Sequence, residues 1–68
     1  MKTISGKRLC RLLEGKDWHL KRINGSHHIY VKTGVAVRIS VPVQGNKPLK
    51  TGLQKSLMKL ADINETEL

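Results

Sequence analysis

An α+β fold is what this sequence predicts: a two-layer α-β-β-β-α sandwich, with a three-stranded antiparallel sheet and two helices on one of its faces. Three observations carry the prediction. Leu9, Leu12 and Leu13 near the start, and Leu53, Leu57, Leu60 and Ala61 near the end, recur at helical spacing. Between them Val35, Val37, Ile39, Val41 and Val43 alternate with Ala36, Arg38 and Ser40, the period of a strand with one covered and one open face. Two turn signals, Asn24-Gly25 and Thr33-Gly34, divide the middle of the chain into three strands. A sheet with one apolar face must bury it, and two amphipathic helices supply the cover.

The first helix is expected from about Gly6 to Glu14. Ser5 supplies an N-cap, and the end falls near Gly15. Lys7, Arg11 and Glu14 lie opposite its leucines, so its outer face is mostly basic. Cys10 is read as a small apolar filler, not as a nucleophile.

Trp18 to Ile23 forms the first strand. Its alternation is imperfect: Trp18, Leu20 and Arg22 share one side, and His19, Lys21 and Ile23 the other. Asn24-Gly25 suits a type I′ turn, in which both central residues need positive φ. Ser26 and His27 then open a second strand running to about Lys32. Alternation puts His27 with Ile29 and Val31, and His28 with Tyr30 and Lys32, so the two histidines face opposite ways. Val35 to Val43 is the third strand, which completes a meander. The helices are expected on the side that carries Val37, Ile39 and Val41.

The pattern stops from Pro42 to Lys50, a loop with Gln44-Gly45-Asn46, Pro48 and the projecting Lys47 and Lys50. Thr51-Gly52-Leu53-Gln54 has the spacing of a capping box, so the second helix is expected from about Gly52 to Ala61. Asn64 can cap a last turn, Glu65-Thr66-Glu67.

Sixty-eight residues make one small domain, 1–68, with a marginal core. A single cysteine excludes an internal disulfide and a cysteine-based zinc site, and fits a reducing, cytoplasmic setting. Three scattered histidines and no carboxylate cluster leave no expected metal or cofactor. Met1 to Arg8 has basic residues without an apolar stretch, so it is not read as a signal peptide. The net charge is +8 and unevenly spread. All thirteen Lys and Arg lie at or before Lys59, opposed there only by Glu14 and Asp17, which leaves +11; Asp62, Glu65 and Glu67 form an acidic tail from about residue 62. So basic a body attracts polyanions. Nucleic acid is favoured over membrane because no helix joins a basic face to bulky aromatics.

The same element order occurs in double-stranded-RNA-binding domains, which read A-form RNA by shape and phosphate contact. The motifs narrow the choice further. The chain carries Gly25-Ser26-His27, then Pro42-Val43 followed by Gly45, then Gly52, Leu57, Met58, Lys59 and Ala61. In order and spacing these resemble the HicA toxins of bacterial toxin–antitoxin pairs over nearly the whole chain. They match a Gly-Ser-His signature, a Pro-x-His-Gly segment with Gln44 in place of the histidine, and a Gly-x4-[Ile/Leu]-Leu-Lys-x-Ala pattern with Met58 for its second aliphatic residue. The resemblance implies a double-stranded-RNA-binding-like fold, cleavage of mRNA, one essential histidine at His27, and a HicB-type antitoxin that covers the site.

Two functions follow for test. The first is a metal-independent endoribonuclease. RNA carries its own nucleophile, the 2′-hydroxyl, and an imidazole can move its proton near neutral pH. Ser26, Arg22, Lys47 and Lys50 are the expected RNA-binding residues, the basic ones from charge and predicted position. The second is a non-catalytic RNA-binding module in which His27 is structural or a simple contact. Cleavage of RNA in the presence of EDTA separates them.

Overall fold

The computed structural model describes residues 1–68 and has the expected order: α1 (Gly6–Glu14), β1 (His19–Asn24), β2 (His27–Val31), β3 (Ile39–Pro42), α2 (Thr51–Ala61) and a closing 3-10 turn, Glu65–Glu67. The sheet is antiparallel with order β1-β2-β3. Tyr30, Ile39 and Val41 face the helices and are buried with Ile4, Leu9, Leu13, Trp18, Leu57 and Met58 in one core. No helix is long and apolar enough to cross a membrane.

α1 forms as read. The Ser5 hydroxyl accepts the Arg8 N–H at 3.1 Å, satisfying one orphan donor of the first turn. Leu9 and Leu13 are buried on its inner face while Lys7, Arg11 and Glu14 stay exposed. The helix starts hard against β3: a Cβ built on Gly6 would fall on the Pro42 carbonyl oxygen.

The strands depart from expectation in three ways. Asn24 ends β1 paired with His27, so the two-residue turn is Gly25-Ser26. Gly25 alone has positive φ, +62°, which is the pattern of type II′ and not I′. A bulge between Leu20 and Arg22 shifts the register, so Leu20 opposes Tyr30, Arg22 opposes Ile29 and Ile23 opposes His28. Arg22 is thereby on the opposite face from Leu20, not beside it, and Ile23 joins Leu20. The third strand is only Ile39–Pro42. Val35 N–H bonds the Lys32 carbonyl at 3.1 Å across a turn with Gly34 at φ +82° in its third position, the type II arrangement. That turn splays strands instead of pairing them. Val35 and Val37 therefore leave the ladder and stay exposed; of the expected inner-face residues, Ile39 and Val41 are covered and Val37 is not.

α2 buries Gln54, Leu57, Met58 and Ala61, whereas Leu53 and Leu60 are exposed. The capping box does not form. Thr51 is already helical, Lys50 holds the cap position without a side-chain bond, and Gln54 turns inward. Its Oε1 accepts the Ile4 N–H at 2.9 Å and its Nε2 donates to the Lys2 carbonyl at 2.7 Å. A buried amide with both ends bonded is tolerated where an unpaired one is costly. At the end of the chain the Asn64 N–H bonds Glu67 at 2.7 Å, and Lys16 pairs with Glu67 at 2.9 Å, so the acidic tail folds back toward α1.

Candidate functional site

The open face of the sheet carries two of the five residues singled out by sequence, His27 and Arg22; Ser26 lies in the adjoining turn, and Lys47 and Lys50 lie in the 42–50 loop. In an antiparallel sheet, directly opposed residues share a face, and diagonal neighbours remain within reach of long side chains. His27 opposes Asn24 on β1 and Pro42 on β3, while its strand neighbour Ile29 opposes Arg22 and Ser40. His27 thus has Asn24 and Pro42 beside it and Arg22 and Ser40 on the diagonals. None of these side chains points toward the helices. His27 is exposed, while Ile29 and Val31 on the same strand are half-buried.

Each position has a local cause. The tight Gly25-Ser26 turn makes His27 the first residue of β2, fixed by the ladder yet reached by solvent. Ser26 is half-buried in that turn, and its carbonyl accepts the Val43 N–H at 2.7 Å, tying the turn to the end of β3. The bulge brings Arg22 to this face; regular alternation from Leu20 would have sent it to the other.

Lys47 and Lys50 lie on the wall of a cleft of about 270 Å³ between the 42–50 loop and the start of α2. Pro42 and Gln44 complete that side, so the cleft begins at the residue directly opposite His27. A turn closed by the Lys47 N–H on the Gln44 carbonyl, 3.1 Å, with Gly45 at φ +56°, shapes the loop. Gln44 occupies the place of the histidine in the Pro-x-His-Gly segment. No three His, Cys, Asp or Glu side chains gather into a group able to hold a metal ion.

His28 behaves differently. It opposes Ile23 and Val41, on the helix side, and is half-buried. The two histidines do face opposite ways. Near His28, Tyr30 donates its hydroxyl to Glu14, and burial raises the Cys10 thiol above its ordinary pKa, opposed by a bond to Tyr30 and assisted by the Glu14 charge. Cys10 is buried packing, as its sequence context indicated.

Asn24, Ser40 and Pro42 were not read from the sequence as neighbours of His27. The period of two on β3 pointed to Ser40 on the open face, but its register with β2 needed the structure. What the open face offers chemically is one imidazole, one guanidinium and small polar groups beside a basic cleft, with solvent access from one side.

Among curated proteins no match is found. The family described as HicA toxin of bacterial toxin-antitoxin matches residues 6–63 of the chain.

Proposed function

The chain belongs to the HicA toxin family of bacterial toxin–antitoxin systems, and on that premise we propose that it is a metal-independent endoribonuclease that cleaves mRNA, with His27 as its catalytic residue. Residues 1–68 act as one domain, in the cytoplasm. The observation that carries the proposal is the placement of Arg22 one diagonal step from an exposed His27 on the open face.

RNA brings the attacking 2′-hydroxyl, so the protein has only to take a proton and stabilise charge. His27 takes the proton of the attacking hydroxyl as its oxygen bonds to phosphorus; the bond from phosphorus to the 5′-oxygen breaks, and that leaving oxygen takes a proton from water. A positioned base of this kind contributes roughly 10²–10⁴-fold. Arg22 sits where it can meet the negative charge that grows on the phosphate oxygens. Ser26 touches the backbone of the bound strand, and Lys47 and Lys50 carry the flanking phosphates along the cleft that starts at Pro42. A HicB-type antitoxin inhibits by covering His27, since an exposed residue at a hairpin end is readily occluded.

The test is RNA integrity on a gel with EDTA present. The parent cuts and His27→Ala does not. An intact but shifted RNA band with the parent protein overturns catalysis and leaves an RNA-binding module.

A further inference from the structure

The helices do not cover the inner face of the sheet evenly. β1 is an edge strand, and its two aliphatic residues on that face, Leu20 and Ile23, remain 43% and 55% exposed. Leu20 lines a cleft of about 250 Å³ between β1 and α1, and Ile23 lies beyond it on the same face. Lys7, Arg11 and Glu14 form its helix wall, at positions i, i+4 and i+7, and His28 and Tyr30 lie across from them. The wall carries two cations against one carboxylate, and that carboxylate accepts the Tyr30 hydroxyl.

These surroundings select an occupant. Single-stranded RNA gains much of its contact by stacking bases on aromatic rings. Trp18 and Tyr30 are buried and offer no open ring face, and the one imidazole at the cleft, His28, is half-buried. An exposed aliphatic shelf instead suits the aliphatic side chain of a protein partner, whose burial removes apolar surface from water. Flanking Lys7 and Arg11 complement carboxylates. The outer edge of β1 also leaves backbone groups free for an added segment.

We propose that this cleft anchors an acidic segment of the antitoxin, with an aliphatic side chain on Leu20 and Ile23 and carboxylates toward Lys7 and Arg11. The inference rests on the toxin–antitoxin reading and adds where the partner grips. His27 and His28 are consecutive residues on opposite faces of β2, so a partner held at His28 is one strand thickness from His27. The anchor and the blocking contact are therefore separate surfaces at one hairpin end.

The experiment uses the antitoxin encoded beside the gene as probe, with affinity measured by calorimetry and RNA cleavage measured on the free variants. Leu20→Asp and Arg11→Glu each alter an exposed side chain of the cleft; Lys55→Glu, on the outer surface of α2, controls for net charge, and circular dichroism confirms folding. Both cleft variants weaken antitoxin binding by at least about tenfold, as for residues central to an interface, while Lys55→Glu does not. Free, both cut RNA at the parent rate, and they escape inhibition. Parent-like affinity in both cleft variants overturns the inference, as does a parent chain that fails to bind the antitoxin. Lost RNA cleavage with unchanged antitoxin affinity overturns it in favour of RNA in the cleft. A parent that cuts no RNA, with antitoxin binding still lost in the cleft variants, ends the nuclease reading and upholds the anchor.

Discussion

The Tyr30 hydroxyl donates to Glu14 Oε2 at 2.6 Å and so fastens the middle of the central strand to the last residue of α1. Tyr30 is 1% exposed, while Glu14 stays at the surface. A buried hydroxyl without a partner would be costly, and this bond supplies one that is charge-assisted. The strand that presents both histidines is thereby held against the helix that walls the inner cleft.

Burial first, and then the bond to Glu14, push the Tyr30 phenol above its ordinary range. A raised folded-state pKa favours the protonated form in the native state. Its contribution to stability is complete below the unfolded value of about 10 and is lost as pH rises beyond it. Tyr30 is the only tyrosine, so absorbance of the phenolate reports it directly. The folded protein should show no phenolate signal at about pH 10, and the signal should appear together with unfolding. A phenol that ionises in the native protein at the ordinary value would refute the buried bond. Tyr30→Phe should cost about 1 kcal/mol in a denaturant titration.

His27→Ala should abolish RNA cleavage and leave folding, RNA binding and antitoxin binding in place. The side chain is exposed, so its loss should change stability by no more than about 0.5 kcal/mol. His28→Ala should cut RNA nearly as fast as the parent. An active His27 variant with a dead His28 variant would move the reaction to the other side of the sheet.

Arg22→Gln should slow cleavage by about 100-fold or more, the range of a lost charge-stabilising donor, with circular dichroism unchanged. If Arg22 acts only by attracting RNA, saturating RNA will restore the parent rate. A rate that stays low at saturation assigns it to the reacting phosphate.

RNA affinity should fall steeply with salt, because thirteen basic residues oppose only five acidic ones. Counterion release gives a log–log slope of about −0.7 for each phosphate neutralised on a single strand. Lys47→Ala and Lys50→Ala should each reduce the slope by about that amount. Affinity that barely responds to salt would contradict a phosphate path along the 42–50 cleft.

Gly6→Ala should destabilise by about 1–3 kcal/mol, the cost of forcing an atom into a packed site, because its Cβ meets the Pro42 carbonyl. Gly52 has open space around its missing Cβ. Gly52→Ala should be neutral or stabilising by about 0.5 kcal/mol. Thermal melts of the pair check the contrast. Because Pro42 stands opposite His27, Gly6→Ala should also lower cleavage in the folded fraction.

What was legible in the sequence followed local rules. Ser5 as a cap, Leu9 and Leu13 as an inner face, and Ile39 and Val41 as covered strand residues all depend on neighbours within a few positions. The opposite facing of His27 and His28 needed only the strand period. Arg22 was chosen for its charge and first placed beside Leu20, since nothing in His-Leu-Lys-Arg-Ile-Asn marks a bulge. The loss of Val35 and Val37 from the sheet hinged on the sign of twist at Thr33-Gly34, which the residue types alone leave open. Gln54 replaced Leu53 on the inner face because its partners, Lys2 and Ile4, lie about fifty residues away in the chain.

That last contact also bears on when the fold can close during synthesis. Gln54 holds both Lys2 and Ile4, and Leu49 donates its N–H to the Ile4 carbonyl at 2.9 Å. A nascent chain stopped before α2 keeps the Leu49 bond and the Ser5–Pro48 bridge but lacks Gln54 and the buried Leu57, Met58 and Ala61. The hairpin bearing His27 would then exist without the core that holds it flat. Closure waits for the ribosome to release α2 and the residues after it, 51–68, so fragments from interrupted translation should be unstructured and harmless to the cell that makes them.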